Sequence, residues 1–143
     1  MKNSTIFSSI IGFIGAFFTA LFGGWTTGMI TLLIFMGIDY LSGLVVAGVF
    51  QKSNKSENGA LESRAGFKGL CRKCMILLFV LIAYRLDLMI GTNYIRDAVV
   101  ITFSINEVLS IAENAALMGI PLPKVILKAL DILKQKASFE EDN

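Results

Sequence analysis

Residues 28–50 read GMITLLIFMGIDYLSGLVVAGVF, an apolar run carrying one charged side chain, Asp39. About twenty such residues, rising about 1.5 Å each as a helix, cross a hydrocarbon core of about 30 Å. The run is therefore expected to span a membrane. Upstream, Ile6–Phe22 is a second apolar run, roughly 26 Å long as a helix. Gly23, Gly24, Trp25, Thr26 and Thr27 form the turn between the two, and the Trp25 ring suits the headgroup region. The pair reads as a membrane helical hairpin. Lys2 before the first run loosely resembles the start of a signal peptide. The run is long for that purpose and no A-x-A site follows, so it is read as a retained helix.

Downstream, residues 51–73 change character. Lys52, Lys55, Arg64, Lys68, Arg72 and Lys73 face only Glu57 and Glu62, with Ser, Asn and Gly between them, which predicts a hydrated basic loop. Two further apolar runs follow, 74–90 and 98–120, separated by the short turn 91–97. Pro121-Leu-Pro123 ends the last, because proline cannot continue the hydrogen-bond ladder. The expected fold is an all-α membrane protein with about four transmembrane helices. Basic segments prefer the cytoplasmic side. The 51–73 loop and the lysines after Pro123 then lie inside, both short turns lie outside, and both termini are cytoplasmic. Residues 121–143 are expected to form a cytoplasmic segment, with an amphipathic helix over 125–136 and a polar tail. Its Lys124, Lys128 and Lys134 would face anionic lipid, or the helix would pack on a neighbouring subunit.

Composition agrees. Charged residues make up 17% of the 143-residue chain, against about 25% in soluble domains, and the mean hydropathy is +0.69. A net charge of +2 gives no reason to expect nucleic acid. The absence of histidine removes the commonest general base and metal ligand. Cys71 and Cys74 have no further Cys or His to complete a zinc site, and they read as small residues at the start of a membrane helix. No nucleophile–base pair, phosphate-binding glycine loop or metal-ligand set is present. The chain is read as a protein without cofactor or metal and not as an enzyme.

Two features carry the functional expectations. Small residues recur at every fourth position of the first run, at Gly12, Ala16, Ala20 and Gly24, where they let helix backbones approach closely. Their partner is a helix of the same chain or of another copy. The second feature is a set of polar and ionisable residues within the spans: Asp39, Arg85, Asp87, Asn106, Glu107, Ser110, Glu113 and Asn114. An ionised side chain at mid-membrane costs about 2.5–3.5 kcal/mol on insertion scales, so these should face protein or water. Counting from the expected inner boundary at about 1.5 Å per residue, Asp39, Arg85 and Glu107 share a layer roughly 17–18 Å deep. That layer is a buried ion-pair network or a water-lined route. On the fourth span, Thr102, Asn106, Glu107, Ser110, Glu113 and Asn114 fall within an arc of roughly 140°, too wide for a helix standing alone in lipid.

These residues also carry a family resemblance. Asp39-Tyr-Leu-Ser-Gly43, Gly69-Leu-Cys-Arg-Lys73, Asn106-Glu107-Val-Leu-Ser110-Ile-Ala-Glu113-Asn114 and Gly119-Ile-Pro-Leu-Pro123 resemble the holins of Gram-positive phages that are grouped with clostridial toxin-secretion proteins. The similarity runs from about Leu33 to Leu133. The resemblance implies a protein of the bacterial cytoplasmic membrane that self-associates in many copies. It would open lesions releasing an endolysin, or a toxin, to the cell wall, with an antiholin as a further partner. Some holins encode an inhibitor form from a second early start. No methionine lies between Met1 and Met29, so that device is not visible here. The alternatives are a small secondary transporter or ion channel using an intramembrane carboxylate, and a membrane scaffold. Interrupted helices and internal repeats would favour a transporter; no convincing repeat is present, and both prolines lie outside the spans.

Overall fold

The computed structural model describes residues 2–129 and 131–132, with side chains from Ser4 onward. The described part is helical and contains no strand: α1 (Lys2–Phe22), α2 (Thr27–Val45, continuing as a π-helical turn over Val46–Phe50), α3 (Ser63–Ile90) and α4 (Ile95–Leu117). The stretches Ser4–Phe22 and Thr27–Phe50 are long and apolar enough to cross a membrane.

Local chemistry sets the boundaries. Gly23 and Gly24, both at positive φ, stop α1, and the Gly24 amide donates back to the Thr19 carbonyl at 3.0 Å. Thr26 then caps α2, its hydroxyl accepting from the Met29 amide at 3.3 Å. Gln51 closes the π turn in the left-handed region. Gly91, with φ 78°, ends α3 by donating to the Asp87 carbonyl. Helix α4 begins at Ile95, within the expected turn 91–97, and ends at Leu117, before the expected end at Ile120; Gly119 and the two prolines follow. Residues 124–129 and 131–132 are helical again, as expected for the start of the 125–136 segment; Leu130, Lys134 and the rest of 133–143 lie outside the described residues.

The third helix departs from expectation. It begins at Ser63, so the predicted loop 51–73 is a loop only as far as Glu62. The charges of Arg64, Lys68 and Arg72 are compatible with a helix whose first turns extend beyond the apolar layer. Cys71 and Cys74 are free and exposed within it, not at its start.

Helices α2, α3 and α4 form the body. Contact is most extensive between α2 and α4 and sparse between α2 and α3. Met29, Leu32, Met36, Val80 and Val100 make the apolar core, toward the end that carries the two short turns. The outside is apolar too: Phe13 is 74% exposed and Met89 79%. Asp39, Asp87, Glu107 and Asn114 are buried instead. Apolar outside and charged inside is the arrangement a lipid solvent favours.

At the turn end, one clasp joins three helices. The Asp87 carboxylate accepts from the amides of Ile95 (3.1 Å) and Arg96 (2.8 Å) and from the Thr92 hydroxyl (2.6 Å), so it caps the start of α4. The Arg96 guanidinium donates to the Phe22 and Gly23 carbonyls at 3.1 and 3.0 Å, satisfying the end of α1, and lies over the Tyr84 ring. Gly23 is pressed against that same ring, where a Cβ would overlap it. Gly23→Ala is therefore expected to lower stability by about 1–3 kcal/mol, from left-handed strain and from displacement of Tyr84. Thermal unfolding in detergent micelles measures it, with Gly15→Ala, which meets open space inside α1 and should stabilise by up to about 1 kcal/mol, as the contrasting control.

Candidate functional site: a buried ion cluster

The cluster grows from one position on each of three helices. Asp39 is twelve residues after the start of α2 at Thr27, and Glu107 is twelve after the start of α4 at Ile95. Equal rise brings both to the same depth, about 18 Å from the turn end. On α3 the inward positions are Gly69, Lys73, Ile76, Val80, Ala83 and Asp87, spaced alternately four and three. Lys73 is thereby carried between the two carboxylates. Its ammonium donates to Asp39 Oδ2 at 2.8 Å and to Glu107 Oε2 at 2.5 Å, with all three side chains nearly enclosed.

The network extends toward the loop. Asn114 Nδ2 donates to Ser42 Oγ at 2.8 Å, to Asp39 Oδ1 at 3.2 Å and to the Asp39 carbonyl at 3.3 Å. From the loop, Lys55 Nζ reaches Ser110 Oγ at 3.3 Å and stands 3.8 Å from Asp39 Oδ1. Two anions thus meet two cations, one cation enclosed and one at the rim. Beside them, between the sparsely packed α2 and α3, lies a partly open cavity of about 240 Å³ lined on one side by residues of the 53–62 segment.

The expected ion layer therefore exists with a different cation. Arg85 was expected beside Asp39 and Glu107; it is exposed, and no hydrogen bond or ion pair joins it to either. Counting depth from Lys73 as the inner boundary puts Arg85 in the layer. With α3 starting at Ser63, Lys73 moves into the layer. Arg85, twelve residues further on, is displaced along the helix and turned by about 120°. The alternating spacing that ends at Lys73 was the signal that could have found it. Lys55, Ser42 and Arg96 were also missed, because their roles depend on chain segments that meet only in the folded bundle.

Of the other expected residues, Glu107 and Asn114 point inward, Ser110 is half-buried at the rim, and Asp87 belongs to the turn-end clasp. Asn106 and Glu113 are exposed. Gly12 has nothing within 4 Å of a built Cβ, and Ala16 and Ala20 are exposed, so the small-residue face is uncovered within one chain. Gly24 lies in the turn after α1. Lys124 and Lys128 are exposed. Among the described residues no group of His, Cys, Asp and Glu side chains could hold a metal.

Removing one member of a buried charge network leaves the others uncompensated, at about 3–5 kcal/mol. Lys73→Met should therefore destabilise the protein by that order, and Arg85→Met should change stability by less than about 0.5 kcal/mol. Thermal or denaturant unfolding of both variants checks the assignment. Equal losses in the two would overturn it.

Comparison with known proteins connects this geometry to a family. Residues 16–135 match the bacteriophage holin family, a longer match than the Leu33–Leu133 resemblance. An uncharacterized protein of Listeria innocua is 40% identical over 134 residues, covering 93% of this chain and 89% of the relative. A 14.9 kDa protein in the nagH 3′ region of Clostridium perfringens is 37% identical over 125 residues, covering 86% and 89%. The probable holin of Bacillus phage phi105 is 31% identical over 104 residues, covering 72% and 71%. No solved structure matches. Matched over most of its length, with Asp39, Lys73 and Glu107 all inside the match, this chain belongs to the bacteriophage holin family.

Proposed function

We propose that the protein crosses the bacterial cytoplasmic membrane four times with both termini in the cytoplasm. It gathers there into oligomers and opens lesions through which an endolysin, or a toxin, reaches the cell wall. Family membership supports the holin role. Two apolar helices support the membrane setting. Of the charges on α3 and α4 that argue against spanning, those of Lys73, Asp87 and Glu107 are met inside the bundle, and those of Arg85 and Glu113 are exposed.

The observation that carries the oligomeric reading is on α4. With Glu107 and Asn114 turned inward, Thr102, Asn106 and Glu113 remain on the exposed side. At about 100° per residue these three lie within about 40° of one another, a polar stripe along the outside of the helix. Such a stripe is costly against lipid. Another copy, or the water of an open lesion, covers it. A single small bundle cannot enclose a protein-sized hole, so many copies take part. Their assembly also covers the Gly12–Ala16–Ala20 face of α1.

Two measurements test this reading. Glu113→Leu and Asn106→Leu should delay or abolish lysis after induction while the protein accumulates normally, as judged by blotting of membranes. Unchanged timing in both at equal abundance would remove the stripe as the working surface. For topology, single cysteines at Glu57 and Asn93, both exposed, are placed in a Cys71→Ser/Cys74→Ser background. An impermeant thiol reagent outside intact cells should label Asn93→Cys and spare Glu57→Cys. Labelling of both would rule out the four-span arrangement.

A further inference from the structure

We infer that the 51–62 loop is a built-in plug, held by the Lys55 ammonium in a cation seat formed by Asp39 and Ser110. It keeps water and small cations out of the cavity that leads to the Lys73 cluster.

The loop has the construction of a stopper. It is folded on itself: the Lys52 amide donates to the Val46 carbonyl at 3.2 Å, and the Ser53 amide donates to the Gly59 carbonyl at 3.0 Å. Gly59 sits at φ 77° so close to the Gln51 carbonyl that no Cβ would fit. The Ser53 and Asn58 side chains accept from the Lys55 and Ala60 amides, at 3.2 and 3.0 Å. This is a compact loop packed by its own groups. It lies over the gap that the sparse α2–α3 contact leaves open, and Ser53, Ser56 and Leu61 line the cavity beneath it. The Ser56 hydroxyl is buried there without a hydrogen-bond partner. A cavity of about 240 Å³ has room for several waters at about 30 Å³ each.

The latch is made to release. Lys55 is 43% exposed and stands 3.8 Å from Asp39 Oδ1, whereas Lys73 is enclosed and in direct contact with both carboxylates. The inner ion pairs therefore survive when the rim pair breaks. Once Lys55 leaves, Asp39 and Glu107 face one cation between them. The residual negative charge lies at the charged end of a largely apolar cavity, where it attracts water and a monovalent cation to the vacated seat. The π turn at Val46–Phe50, from which the loop departs, is a local irregularity of a kind that recurs at functional sites.

The timing consequence of this inference rests on the lesion-forming reading above; the geometry of the plug does not. The test uses Ala47→Cys in the Cys71→Ser/Cys74→Ser background. Ala47 lines the cavity and is 7% exposed. A positively charged methanethiosulfonate is applied to full-length protein in membrane sheets open on both sides, which makes orientation irrelevant. The exposed Glu57→Cys serves as the delivery control. Adding Lys55→Ala should raise the Ala47→Cys rate at least tenfold, whereas Lys55→Arg, which keeps a cation, should leave it near the starting rate. Ser110→Ala, which removes the other half of the seat, should raise it as well. An Ala47→Cys rate unchanged by both Lys55→Ala and Ser110→Ala overturns the plug. In induced cells at equal abundance, Lys55→Ala should advance lysis; a faster labelling rate with unaltered lysis timing overturns its role as a resting-state gate. If the wild type itself causes no lysis, the lesion-forming reading fails while the labelling result still decides the plug.

Discussion

The bundle depends on one ammonium, that of Lys73, held between the carboxylates of Asp39 and Glu107. Each of the three groups would be costly in a hydrocarbon layer by itself. Held together they satisfy one another, and the pairing fixes three things at once. It sets the depth of α2, α3 and α4 relative to one another. It sets the rotation of α4, since Glu107 and Asn114 must both turn inward to reach their partners on α2 and α3. By the same rotation it sends Thr102, Asn106 and Glu113 outward, so the stripe proposed to meet other copies is a geometric consequence of the buried pairs.

The remaining polar groups follow a second requirement, that helix ends meet their donors and acceptors. Asp87 supplies acceptors to the first amides of α4, and Arg96 supplies donors to the last carbonyls of α1. Between this clasp and the ion cluster lies the apolar core of Met29, Leu32, Met36, Val80 and Val100. The body is thus an apolar layer bounded by two polar ones. Helix α1 stands apart: none of its most apolar stretch is buried, and the Arg96 guanidinium binds the carbonyls of Phe22 and Gly23 at its end.

Strong and weak charge contacts are divided between the interior and the loop. Lys73 is enclosed and makes direct contacts, so its cluster behaves as a fixed part of the fold. Lys55 is half exposed and its pair is longer, so solvent competes with it continuously. The interior and the loop that covers it are thus held by interactions of different strength.

The sequence determined the helical membrane character, because apolar runs such as 28–50 allow little else. The turns were legible in Gly23–Gly24 and Gly91, where a left-handed residue is needed, and the break at 119–123 in its prolines. Asp39 and Glu107 could be placed in one layer by counting residues, since rise per residue is a property of any helix. Both also lie in sequence motifs that resemble those of the holins. The identity of their cation was decided only by tertiary structure. Hydropathy starts the third span only at Cys74, because it charges Lys73 the full cost of an unpaired ion. The fold removes that cost by bringing Asp39 and Glu107, each thirty-four residues away along the chain, to the same ammonium. Charge pairing across helices is non-local, and local composition cannot register it. The same reason hid Lys55, Arg96 and the split of the α4 polar arc into a buried side and an exposed one.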